Sequence, residues 1–187
     1  MSRYFKLQDH VSIPGRWFLS GPFDEAGNKL DPWQFGRGQR VELTCVPRFT
    51  VYHGREPVDF SQTGLGAPVV SSRVVAIFER MGVQDVQILP AKVEGQSECW
   101  FILNILRIIR CIDDARCDEV EYWTPDDGRL EKVGQYRGIM GLKVDPTKIG
   151  DAQIFRPWGW HVAMIISEPL KEALEQEGIT GMKYIEA

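Results

Sequence analysis

The sequence has no Cys-x-x-Cys pair, and its four cysteines (Cys45, Cys99, Cys111, Cys117) and three histidines (His10, His53, His161) are scattered. Zinc ligands come in closely spaced pairs, so no metal site is expected, and the thiols read as small packed hydrophobes in a reducing compartment. No spacing requires Cys111 and Cys117 to join. Gly-x-Gly-x-x-Gly, a phosphate loop and Gly-x-Ser-x-Gly are all missing, so nucleotide cradling and a hydrolase elbow have no local support and no cofactor is expected. Basic residues are not in excess. With 22 Lys and Arg against 26 Asp and Glu, the net charge is −4, which excludes a nucleic-acid binder built on bulk charge. The longest apolar stretch, 99–112, is interrupted by Asn104, Arg107 and Arg110. It is too short and too charged to span a bilayer. Met1-Ser2-Arg3-Tyr4-Phe5-Lys6 has no apolar run or cleavage site, so a cytoplasmic location with no membrane partner is expected.

What is present fits an ordinary folded protein. A chain of 187 residues, 43% hydrophobic and 26% charged, is expected to form a single domain that buries about 70% of its extended surface. Residues 1–66 are broken by Pro14-Gly15, Gly21-Pro22, Asp31-Pro32, Gly36-Arg37-Gly38 and Gly64-Leu65-Gly66. They also carry Trp17, Phe18, Phe23, Trp33, Phe35, Phe49, Tyr52 and Phe60. Such rings pin turn-rich chain onto a core, so this segment reads as a loop-rich wrap on a 67–187 core.

Two helices are predicted, over about 71–81 and 168–177. Val74, Val75, Ile77, Phe78 and Met81 make one apolar face after Ser71-Ser72, and Gly82 ends it. Ser167, Glu168 and Pro169 start the second, Leu170 and Leu174 face inward, and Gly178 closes it. Strands are predicted at 86–93, through the run beginning at Trp100, and at 138–144, 152–155, 161–166 and 181–185. The run from Trp100 to Ile112 fits a helix or a strand by periodicity; its isoleucines and the preceding Glu94-Gly95-Gln96 turn favour a strand. Strands outnumber helices and do not alternate with them, so the fold class is α+β, mainly antiparallel sheet. No repeat is visible in the sequence.

Residues 113–132 form an acidic excursion holding eight acids against Arg116, Arg129 and Lys132. Asp113, Asp114, Asp118, Glu119, Glu121, Asp126 and Asp127, with Tyr122 and Trp123 among them, are the candidate partner-binding residues. A negative patch speeds approach to a positive surface, and aromatics carry interface energy. A solvated loop is the competing reading of the same residues. No catalytic residue is assigned. The alternative in a different class is a small hydrolase or nucleotide-modifying enzyme using Asp113, Asp114 or His161, which requires a carboxylate and His161 to converge in a pocket. Trp158-Gly159-Trp160-His161 reads as core packing at a strand entry.

Three blocks together go further. The first runs from Pro68-Val69-Val70-Ser71-Ser72-Arg73-Val74 to Val86-Gln87-Ile88-Leu89-Pro90, and the second from Trp100-Phe101-Ile102-Leu103-Asn104-Ile105-Leu106 to Cys111-Ile112-Asp113. The third joins Ile154-Phe155-Arg156-Pro157, Ile165-Ile166-Ser167-Glu168-Pro169-Leu170-Lys171 and Gly178-Ile179-Thr180-Gly181-Met182-Lys183-Tyr184. Their order and spacing resemble the eleventh immunity-protein family of bacterial polymorphic-toxin systems. Pro14-Gly15-Arg16-Trp17 with Asp31-Pro32-Trp33 is similar to its myxobacterial-type branch. The resemblance implies a cytoplasmic, non-catalytic protein that binds and neutralises a cognate toxin encoded by a neighbouring gene. It carries over no catalytic residues and leaves self-association open.

Overall fold

The computed structural model describes residues 2–63 and 66–187. β1 (Tyr4–Asp9), β2 (Phe18–Phe23) and β3 (Arg48–His53) come first, followed by β4 (Phe60–Thr63) and β5 (Ala67–Ser71). Then come α1 (Ser72–Arg80), β6 (Val86–Val93), β7 (Trp100–Ile105) and the short β8 (Ile108–Ile109). β9 (Glu119–Tyr122) and β10 (Tyr136–Met140) form a hairpin. β11 (Ile154–Pro157), β12 (Met164–Ser167), α2 (Glu168–Gln176) and β13 (Met182–Glu186) complete the chain. The protein is α+β and mainly antiparallel sheet, with two principal helices. Of the expected turn at Gly64-Leu65-Gly66, all but Gly66 lies outside the described residues.

The backbone carries a repeat that residue identities hide. In the six-stranded sheet, ordered β2-β3-β6-β7-β5-β4, β7 lies antiparallel between β5 and β6. In the five-stranded sheet, ordered β13-β1-β12-β11-β8, β1 lies antiparallel between β12 and β13. Ser71 pairs with Trp100 and Val70 with Phe101; Ser167 pairs with Tyr4 and Ile166 with Phe5. Each residue of the first pairs stands 96 positions from its counterpart in the second. The first repeat is therefore β1, β4, β5, α1 and β6, and the second is β7, β11, β12, α2 and β13. Each gives its leading strand to the other's sheet.

Packing explains why both helices sit where they do. Val74, Ile77 and Phe78 of α1 and Leu170 and Leu174 of α2 enter one core with Phe5, Leu103, Met164 and Ile166. Both helices run nine residues. Each is followed by a glycine in the left-handed region, Gly82 at φ 64 and Gly178 at φ 63, which favours a residue without Cβ. Ser71 and Ser167 hold the extended N-cap geometry, but neither side chain bonds its helix. The Ser71 hydroxyl instead donates to Asp59 Oδ1 at 2.7 Å.

Alternation along the central strands buries the outer faces as well. Trp100 and Ile102 turn away from the shared core to meet Trp17, Phe35 and Phe49, contributed by the amino-terminal segment. Tyr4 and Ile165 do the same on the other sheet, against Leu142, Val144 and Ile149. The run beginning at Trp100 is a strand paired with β6, but it is cut after Ile105. There the Leu106 N–H donates to the Asp85 carbonyl, and Arg107 binds Asp85 and Asp151. β8 then joins the other sheet, parallel to β11.

Candidate functional site

The acidic excursion leaves the second sheet at the Ile112–Val144 bridge, where Asp113 N–H donates to the Lys143 carbonyl at 3.0 Å. β9 and β10 then form a two-stranded sheet of their own. Alternation along β9 puts Glu119 and Glu121 on one face and Val120 and Tyr122 on the other. At the tip, Thr124 and Asp127 satisfy each other in a capping box ahead of Gly128. The Asp127 carboxyl is held below its ordinary range by the Thr124 N–H and hydroxyl, with Arg137 2.9 Å away adding to the effect.

The hairpin's aromatics order its base. Tyr122 and Tyr136 pack with ring centroids 4.9 Å apart. Both hydroxyls donate to Asp114, that of Tyr136 at 2.7 Å. Hydrogen bonding to this carboxylate raises the Tyr122 phenol above its usual value; burial first and Asp114 second do the same at Tyr136. Two neutral phenols on one carboxylate make a brace. Asp113 has Arg116 at 3.9 Å.

Around Trp123 the charge changes sign. Lys132, Arg137 and Arg129 stand 5.2, 5.7 and 6.0 Å from its ring centroid, within range for cation–π attraction. Leu130, Val133 and Met140 are exposed, Leu130 at 74%.

Behind the hairpin lies a cavity of about 400 Å³, walled by Trp123, Lys132 and Tyr136, by Trp33 and by the β11–β12 turn. Arg156 and His161 line its inner side. Neither Asp113 nor Asp114 lines it, and no Asp or Glu does among the described residues. The hydrolase reading requires a carboxylate to join His161 on this lining, and among the described residues none does. Burial first, and Arg156 second, hold the His161 imidazole below its ordinary pKa. Trp158-Gly159-Trp160-His161 is a turn between β11 and β12 and not a strand entry; Trp160 serves both the outer core and the cavity wall.

The family model described as "Immunity protein family (Imm11)" matches residues 1–187. The chain belongs to the Imm11 immunity protein family. No curated protein matches it.

In this Imm11 protein the sequence-predicted residues are brought together only in part. Asp113, Asp114, Asp118, Glu119, Glu121, Tyr122, Trp123, Asp126 and Asp127 all fall on or beside the hairpin. Asp114 and Asp127 are occupied by internal partners, whereas Glu119, Glu121 and Asp126 are exposed. Sequence reasoning missed Lys132, Arg137, Leu130, Val133 and Met140. Leu130 and Val133 were visible as apolar residues in a polar stretch; Lys132 was counted only against the acids, and Arg137 and Met140 lie outside the acidic segment. Among the described residues no cluster of His, Cys, Asp and Glu could hold a metal ion, and no helix is long and apolar enough to cross a membrane. The four cysteines are free, and burial pushes the Cys111 thiol up to about 12, which leaves it protonated and unreactive.

Proposed function

We propose that this immunity protein acts in the cytoplasm as a non-catalytic inhibitor, binding a cognate toxin encoded by a neighbouring gene of a polymorphic-toxin locus. The family match over residues 1–187 carries the reading. The proposed contact surface is the acidic segment at 113–127 with the rest of its hairpin, and the form of that surface supports it. Glu119, Glu121 and Asp126 offer exposed negative charge for steering, while Tyr122, Leu130 and Val133 offer apolar area that water must leave on contact. The acids set the approach rate and the aromatic and aliphatic groups the residence time.

Co-expression with the adjacent open reading frame tests both parts. Cells survive and the two products co-purify if the reading is right; neither protection nor co-purification sinks it. Glu121→Lys with Asp126→Lys leaves the Asp127 cap and the Asp114 brace intact. Association with the toxin should then slow roughly tenfold at low salt. An unchanged association rate removes the hairpin from the interface without removing the immunity role.

A further inference from the structure

Among the described residues two arginines are fully buried, and they are treated differently. Arg16 has Asp9 at 3.3 Å, and its donors also reach the carbonyls of His10 and Trp17 and the Ser61 hydroxyl. Arg156 is 1% exposed and has no carboxylate among the described residues. Its Nη1 donates to the His161 carbonyl at 2.5 Å and its Nη2 to the Gly66 carbonyl at 3.1 Å, while Nε is buried without a partner among the described residues. His161 Nε2 is likewise buried with no partner among the described residues. Loss of water pulls the Arg156 guanidinium down to about 10, so at neutral pH it remains a cation. A buried charge left without a counter-charge costs stability, and protein carbonyls compensate it only in part.

The charge faces a cavity suited to a counter-anion. Lys132 joins Arg156 on the lining, and no carboxylate among the described residues pairs with it. Arg37 and Arg137 stand at the rim, already neutralised by Asp31 and Asp127. The uncompensated charge is therefore concentrated inside. Trp33, Trp123 and Trp160 supply flat apolar walls, and a volume of about 400 Å³ lies within the range of small-molecule sites. A site with cations at its base and indoles at its sides recognises a group that is negative at one end and planar at the other.

We infer that this cavity is a receptor for a small organic anion, an oxyanion joined to a flat ring, with the oxyanion bound at Lys132 in the field of the buried Arg156 and the ring against the tryptophans. The inference goes beyond the immunity reading and needs no toxin for its test. Arg156 joins the Gly66 carbonyl to the β11–β12 turn at the cavity wall.

Calorimetric titration and thermal unfolding of the full chain, with AMP, benzoate, inorganic phosphate and adenosine as probes, decide it. AMP binding identifies a phosphate ligand and benzoate binding a carboxylate one. Inorganic phosphate should compete more weakly than either, and adenosine, lacking the anion, should not bind. Lys132→Ala and Trp123→Leu should each weaken binding roughly tenfold. Arg156→Met should abolish it; if that variant does not fold, the other two decide. Three results overturn the assignment: neither AMP nor benzoate binds at millimolar concentration, adenosine binds as tightly as AMP, or the parent's affinity survives in both Lys132→Ala and Trp123→Leu.

Discussion

The two repeats share a scaffold and differ in what they insert into it. Between its leading strand and the paired strands, each carries a long insertion, residues 10–59 in the first and 106–153 in the second. In the first repeat the insertion is absorbed. β2 and β3 extend the sheet beside β6, and Trp17, Phe35 and Phe49 cap its outer face. In the second, residues 142–152 cap the outer face, and the β9–β10 hairpin is left out of both sheets. Scaffold positions are fixed by burial on both faces of a strand, whereas an insertion already covered by its own base is free to carry charge. The surface proposed for the partner belongs to that freed segment, which also supplies one wall of the anion cavity.

The sharpest way to break this comparison is to delete from each side. Removing residues 2–9 takes Tyr4, Phe5 and Leu7 out of the five-stranded sheet. At roughly 1.5–3 kcal/mol for each buried apolar side chain, the loss rivals the whole stability of a typical domain. No cooperative thermal transition should remain. Replacing residues 116–138 by a short Gly-Ser linker should keep that transition, measured by circular dichroism. If the hairpin deletion also abolishes it, scaffold and insertion are not separable.

A finer test uses Phe78 and Leu174, which occupy equivalent sites 96 positions apart and face one core. Phe78→Ala should cost about 3–5 kcal/mol and Leu174→Ala about 2–5 kcal/mol in denaturant unfolding. Because both open into the same core, the double variant should depart from additivity. Strict additivity would mean that the helices pack independently.

The smallest expected effect separates Asp59 from its counterpart, Gln153. Ser71 N–H donates to the Asp59 carbonyl and Ser167 N–H to that of Gln153, so the two residues occupy matching positions. Burial pushes the Asp59 carboxyl up. The Thr180 N–H, the hydroxyls of Ser71 and Thr180, and Arg73 at 2.9 Å outweigh it, and the net pKa is lowered. A folded pKa below the unfolded one adds stability above the unfolded value, and that stability is lost as pH falls through the folded value. Asp59→Asn should therefore destabilise the protein at pH 7 and approach the parent's stability in strong acid. Gln153→Ala should show a difference that does not change with pH. An Asp59→Asn penalty that is flat with pH would contradict the bonding described.

Much of the scaffold was legible in the sequence because periodicity reports burial. The apolar faces of 72–80 and 168–176 and the β-branched run at 86–93 announce their elements directly. The repeat was not legible. Ala67 and Ala163, Ser71 and Ser167, Glu79 and Glu175, and Gly82 and Gly178 match, but Val74 answers Leu170 and Phe78 answers Leu174. Packing conserves size and polarity more strictly than identity. Nor does a strand's pattern say which strand it pairs with, so the exchange of β1 and β7 left no local trace. The hairpin's acids were visible as composition. The cavity was not, because its walls come from residues as distant as Trp33 and Val162.

The exchange of leading strands also sets a timetable for synthesis. β1 is translated well before either strand that flanks it, because β12 and β13 lie more than 150 residues further along the chain. At about 5–20 residues per second, an apolar ribbon bearing Tyr4, Phe5 and Leu7 waits on the order of ten to thirty seconds for its neighbours. An unpaired strand edge is a template for any other extended chain, so β1 is open to misassembly until β12 and β13 have been made.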